Sequence, residues 1–354
     1  MAVAATHAAP AFAQWIPLAR QVVRTSLRLA WKDVLEIYTY VPTIPLAEAL
    51  ALEARRAGSD THLTLMTDDL WFTSMKELST KWLSAPSPVE YAIDETTTAS
   101  LYLGGPADAR RMKDIPPEKF EANGMGGARQ HAPRLRRRVR VVNLEIGRVT
   151  PERAEAYDLD YHRWYHSYHA ALAVDLKEIQ RKGRALARKL AGRKVRVTSR
   201  DGTDFRFALK RIPPALDDGI VGAADVRRGF VETTLPAGKL TAAIRPESAE
   251  GIVRAVDPLF FGGRTIVRPW FRIRAGRIVD WGADAHADLL ERILGMSKVR
   301  RARIGWVSVG LNSAAEPCML DNGIVKDDVG FGLGAHEQLE RRAHDPEVFF
   351  STTI

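Results

Sequence analysis

The chain has 354 residues, is 45% hydrophobic and 27% charged, and carries 8 Trp and 12 Phe, so it can bury a core in two domains or one large one. Its formal charge of +9 comes mostly from scattered arginines, and a single cysteine, Cys318, excludes an internal disulfide and fits the reducing cytoplasm. No apolar run approaches the ~18 residues of a membrane span, so no membrane role is expected.

Met1 to Phe12 is Ala-rich and lacks the basic region of a secretory signal, so it reads as a frayed or packed N-terminal segment. Residues 14–31 carry Trp15, Leu18, Ala19, Val22, Val23, Leu27 and Ala30 at helical spacing. Asp33 to Tyr40 reads as a buried strand, Ile44 to Ala57 as an amphipathic helix closed by Gly58, and Thr61 to Met66 as a second strand. That order is one βαβ unit of a parallel sheet. Met75 to Leu83 predicts a helix and Ser100 to Leu103 a short strand. The Gly- and Pro-rich stretch 104–133 predicts a long loop. Within it, Gly124-Met125-Gly126-Gly127 lacks both the lysine context of a phosphate-binding loop and a preceding strand.

Arg134, Arg136, Arg137, Arg138 and Arg140 lead into a strand at 138–144. This run reads as a solvated loop entering a strand, or as a site for an anionic ligand or acidic peptide. It has no interleaved aromatics, and nucleic acid is not expected as a partner. A long helix is predicted from Pro151 to Leu190, with Thr150 as N-cap. From Lys194 the pattern turns to β: Val195–Thr198 and Phe205–Leu209 alternate around the turn Asp201-Gly202. Further strands are expected near 239–245, 265–273 and 277–281, and a helix near 284–295. The predicted class is therefore α/β, with a mostly parallel-sheet domain over 1–192 and a mixed α+β domain over 193–354.

Four segments carry a resemblance when taken in order: Gly202-Thr203-Asp204-Phe205, Leu235-Pro236-Ala237-Gly238, Arg303 to Asn312, and Leu320-Asp321 running on to Gly330–Gly334. Their spacing resembles the metal-binding segments of the M29 (aminopeptidase T-like) metallopeptidases, a fold shared with ring-opening dihydroxypyridine dioxygenases. The resemblance implies an aminopeptidase T-like fold and a homodimer. It also implies a metal held by Glu and His at positions where this chain has Lys239, Trp306 and, between Asp327 and Gly330, no His. A His of the dioxygenases would fall on Arg303. Lys and Arg present donors only, and Trp an indole N–H, so none is an ordinary divalent-metal ligand.

On that basis no cofactor is expected. The cleft is expected to bind a peptide through Lys239, Arg303, Trp306, Asp328 and Phe331, as in ribosomal peptide pathways of the crocagin type. There a precursor is held for modification or cyclisation, alone or with a homologous catalytic partner. The other reading is a divergent metal enzyme, an Fe(II) oxygenase or a peptidase. Its ligands would have moved to His162, His166, His169, Asp328 or His336.

His162, His166 and His169 share one helix face, a spacing open to zinc or iron. The interleaved Tyr161, Trp164, Tyr165 and Tyr168 equally describe a face packed at a domain or subunit contact, or one lining a substrate. His336-Glu337 reads as a relocated ligand or base, or as a surface helix start. His286-x-Asp288 reads as surface, Asp327-Asp328 as an acidic pair or a solvated turn, and Cys318 as a small buried hydrophobe rather than a nucleophile. Ser308 and Ser313 lack a nucleophile elbow. Gly330-x-Gly332-x-Gly334 strips one strand face, which another backbone or an extended peptide could approach.

Overall fold

The structure is a computed structural model that describes residues 10–261, 264–295, 303–318, 322–334, 336, 339 and 349–353. The strands β1 (Val34–Tyr40), β2 (Asp60–Met66), β3 (Ala99–Tyr102) and β4 (Arg140–Leu144) form a parallel sheet. The chain then makes the hairpin β5 (Lys194–Thr198) and β6 (Asp204–Ala208), followed by β7 (Ala215–Asp217). β8 (Glu232–Leu235) returns to pair in parallel with β4, so the first sheet runs β2-β1-β3-β4-β8 and takes its fifth strand from well beyond residue 192.

The rest is antiparallel: β9 (Lys239–Ala243), β10 (Glu250–Arg254), β11 (Leu259–Phe261), β12 (Arg264–Ile266), β13 (Trp270–Arg274), β14 (Arg277–Gly282), β15 (Ile304–Gly310), β16 (Asp328–Leu333) and β17 (Phe349–Thr353). They build a second sheet, β14-β13-β10-β6-β5, and a third, β17-β16-β15-β9-β7, with β11 and β12 as a separate ribbon. The fold is mixed α/β, as expected. Among the described residues no helix is long and apolar enough to cross a membrane.

Alternation decides which face of each sheet is buried. In β1, Leu35 and Ile37 point into a core with Leu101, Val142, Leu144 and Leu235, closed by Leu46, Ala47 and Leu50 of the helix Ile44–Arg56. The second core joins Phe205, Phe207, Phe271 and Ile273 of the second sheet to Val307, Val329, Phe331 and Leu333 of the third.

Three sequence-based expectations are corrected. The segment 104–133 is not a loop: it holds a helix Pro117–Gln130, followed by a second, Ala132–Arg137. Gly126 lies so close to the Leu83 carbonyl that a Cβ would collide with it, so tertiary packing set this helix against glycine's poor propensity. The predicted helix 151–190 is three helices, Pro151–Ala156, Tyr161–Leu172 and Leu176–Leu190. Asp160 and Asp175 start the second and third by accepting backbone N–H groups, an N-cap role that apolar periodicity does not reveal. The helix predicted at 75–83 is broken after Glu77, and Ser79 caps a new short helix at Thr80–Leu83. Residues 1–9, Glu337, Leu320 and Asp321 lie outside the described residues.

Candidate functional site

Three of the motif segments meet at one end of the third sheet, around Gly238, Asn312 and Asp327, while the segment 202–205 leads into β6 of the second sheet. Leu235-Pro236 is a cis peptide, and Gly238 has φ of +133°, where a side chain would be strained. A Cβ on Gly238 would press against Asn312. Asn312 is fully buried and its Nδ2 donates to the Ala237 carbonyl at 2.8 Å and the Ala171 carbonyl at 3.1 Å. Its Oδ1 accepts from the backbone of Ala314 and Ala315. The Leu311 N–H donates to the Gly238 carbonyl at 2.8 Å. One asparagine thus clamps two motif segments and a helix together.

Beyond the clamp, one face of the third sheet carries the positions where the resemblance placed metal ligands. Lys239 pairs with Gly310, Thr241 with Ser308, and Ala243 with Trp306. On the other side Ser308 pairs with Gly330 and Trp306 with Gly332. A register shift between Ile304 and Trp306 turns Ile304 into the second core and leaves Trp306 on the opposite face. The Trp306 indole occupies the space beside Gly332, where a Cβ would fall inside its ring atoms. The bare glycine face is therefore covered by the chain's own Trp306, which is 4% exposed. His336 packs edge-on against that indole, with centroids 5.2 Å apart. Burial, and then the Lys239 charge, push its pKa down to about 4. The Ser308 hydroxyl and His336 Nδ1 are buried without a hydrogen-bond partner among the described residues. Asp217, opposite Lys239 on β7, is raised by burial, against hydrogen bonds from Thr233 and Thr234 and the nearby Lys239 charge.

The five residues expected to line a peptide groove do not all meet. Lys239, Trp306 and Asp328 lie on this face or its rim, and Asp328 is buried. Phe331 faces the other way: it is fully buried, edge-on to Phe205 at 5.0 Å, and belongs to the core. Its i+1 register to Gly330 and Gly332 puts it there. Arg303 is exposed just before β15.

The helix Tyr161–Leu172 separates its histidines. His162 and His166 are exposed, whereas His169 stacks on Trp15 and Tyr165, with ring centroids at 6.4 and 4.3 Å. Burial and His166 lower its pKa. Among the described residues no three His, Cys, Asp or Glu side chains gather in a group able to hold a metal ion. Lys239 and Trp306 supply no ligand either, so the described residues do not fit the metal that the resemblance implies. His286 is tied to the Thr265 carbonyl at 2.6 Å, and Cys318 is partly buried against the first core.

Sequence reasoning missed an internal ion network. Arg134 donates to Glu36, Asp94 and Ser100, and His131 lies 3.2 Å from Asp94. Arg137 donates to the Asp94 carbonyl, Arg136 to the Tyr91 hydroxyl, and Arg140 to Asp33 and to the Leu27 and Arg28 carbonyls. Arg134 and Arg140 are therefore spent inside the protein, whereas Arg136, Arg137 and Arg138 stay exposed while donating to neighbouring groups. Burial of the carboxylates was the signal, and it is visible only in three dimensions.

No family model and no curated protein matches the chain. Two solved structures are similar in fold. Wild-type AmpT from Thermus thermophilus superposes with a TM-score of 0.70 at 19% identity, covering 96% of this chain and 92% of that one. The 2,5-dihydroxypyridine dioxygenase from Pseudomonas putida KT2440 gives a TM-score of 0.60 at 13% identity, with the same coverage of both chains. At these identities the likeness establishes the fold, in agreement with the resemblance read from the motifs.

Proposed function

We propose that this chain is a metal-independent peptide-binding protein on an aminopeptidase T-like fold, holding a ribosomally made precursor peptide while it is modified or cyclised. The observation that supports it is the seating of Trp306 on Gly332, with Lys239 on the same sheet face. A cation and an indole stand where the resemblance calls for carboxylates: the buried indole fills its position, and the lysine favours an anionic group of a chain over a divalent ion. The divergent metal enzyme remains as a second reading, favoured by the two structural neighbours, one of them named as a dioxygenase.

Metal analysis of the full chain, purified without chelator and then exposed to Zn(II) or Fe(II), separates the two. The peptide-binding reading expects no stoichiometric metal. It also expects saturable calorimetric binding of a precursor peptide encoded beside this protein, unchanged by EDTA and weakened at least tenfold by Lys239→Met. A tightly held equivalent of transition metal overturns it in favour of the enzyme.

A further inference from the structure

The parallel sheet has an unusual second face. Strands of parallel sheets are ordinarily buried on both sides and read as continuous apolar runs. Here the face opposite the first core presents Glu36, Tyr38 and Tyr40 of β1, Ser100 and Tyr102 of β3, and Asn143 of β4. It bounds a cavity of about 1000 Å³, roofed by the helices between Asp68 and Arg137. That volume is at the upper end of ordinary ligand pockets, roughly 300–1000 Å³.

Two features mark it as a site rather than loose packing. The roof helix Pro117–Gln130 carries Gly124, Gly126 and Gly127. Gly126 is accounted for by its close approach to Leu83, but a Cβ at Gly124 or Gly127 would meet nothing within 4 Å. Each glycine costs a helix interior about 1 kcal/mol relative to Ala. At 127, which is half-buried, that cost gains no packing, only empty space in the cavity, while Gly124 is exposed and lies where the lining opens to solvent.

The walls also have a consistent chemistry. Tyr38 lies 5.9 Å from Tyr40 and 5.5 Å from Tyr102 by ring centroid, and Trp71 and Trp82 complete an aromatic lining. Three carboxylates, Glu36, Glu90 and Glu232, line it with two basic side chains, Arg134 and His131; Arg134 is already shared between Glu36 and the adjacent Asp94, His131 lies beside Asp94, and Glu232 accepts from the neutral amide of Asn143. Glu90 accepts from the neutral amide of Gln130. Acidic, aromatic walls repel phosphate and attract cations, through ion pairing and the ring quadrupoles. Leu70 and Trp82 line the cavity yet are 57% and 61% exposed, which marks its mouth.

We propose that this cavity binds an organic cation, an amine or guanidinium carried on an aromatic or apolar body. The site is separate from the third-sheet face, and its test does not depend on the reading given to that face.

Calorimetric titration of the full chain with tryptamine and agmatine, against indole-3-propionate as the charge-reversed control, tests it. The expected result is saturable binding of at least one amine, tenfold or more tighter than the anion. Gly127→Leu should abolish that binding while leaving the thermal midpoint equal or higher, since the added side chain enters empty space. Gly124→Leu is the second filling variant should the first fail to fold. Glu90→Gln should weaken the amine at least tenfold. A capped Trp-Arg dipeptide binding more tightly than tryptamine would assign the cation to a peptide side chain, and the reverse order to a free amine. Failure of all these cations to bind, equal binding of indole-3-propionate, or undiminished binding in folded glycine variants would overturn the proposal.

Discussion

Replacing Arg134 with Met tests whether the basic run is a structural strut or a solvated, ligand-facing segment. The Arg134 side chain is 12% exposed, and its two carboxylate partners, Glu36 and Asp94, are 3% and 0% exposed. Methionine keeps most of the volume but strands both carboxylates. Removing one partner of a buried ion pair typically costs about 3–5 kcal/mol, because the remaining charge is left uncompensated in a poor solvent. Here one cation serves two anions, while Asp94 retains His131 at 3.2 Å. A loss of about 4 kcal/mol is expected for the unit containing the parallel sheet. Urea unfolding followed by tryptophan fluorescence reads it, with Arg136→Met as control. Arg136 is exposed and makes a single bond to Tyr91, so it should cost no more than about 0.5 kcal/mol. The triple variant Arg134→Met, Glu36→Gln, Asp94→Asn should recover most of the loss, since amides carry no charge to strand. If Arg134→Met and Arg136→Met shift the transition equally, the strut argument is wrong and the run is solvated.

Two further outcomes follow from the third sheet. Gly332→Ala places a Cβ within the Trp306 ring, which is rigid and buried, and should cost about 1–3 kcal/mol by overpacking. Adding Trp306→Leu should restore part of it, and an additive double variant in urea unfolding would refute the contact. His336, held at about 4 by burial and Lys239, should stay neutral in NMR titration down to near that pH. Its ordinary value is about 6.5, so between pH 6.5 and 4 only the unfolded chain takes up the proton. The His336 contribution to stability is complete above about 6.5 and falls as pH drops toward 4, by at most ~1.4 kcal/mol per unit. Lys239→Met should raise the midpoint while leaving it below 6.5, because burial is the larger cause. A wild-type midpoint at or above 6.5 would refute the assigned environment.

How far the sequence could be read depended on the range of the interactions. The βαβ unit and the hairpin at Asp201-Gly202 were legible because periodicity and turn chemistry are local. The alternation Glu36, Tyr38, Tyr40 was also in plain view, yet it reads as an ordinary strand until the polar face is seen to bound a cavity. Gly124 and Gly127 pointed to a loop by propensity. Their helix exists because the short helix Thr80–Leu83 and its neighbours hold it, with Gly126 set against Leu83. Arg134 finds Glu36 across 98 positions of sequence, a distance at which a basic run looks like surface. Phe331 stands in a motif segment expected to line a groove, but strand register sends it into the core.

The C-terminal motifs were legible for a different reason, and it bears on what their presence means. Gly238 leaves room for Asn312, and Asn312 in turn hydrogen-bonds the carbonyls of Ala237 and Ala171. The hydroxyl of Tyr168 donates to the Leu235 carbonyl, so helix and strand ends are tied at the same point. These contacts brace two sheets and a helix whatever side chain stands at Lys239 or Trp306. Gly332 goes further, since its missing side chain is what admits the indole. The motif frame therefore persists for reasons of folding alone, and its presence is evidence of architecture. The chemistry has to be read from the side chains set upon the frame, and those here are a lysine, an indole seated on Gly332 and a histidine held neutral.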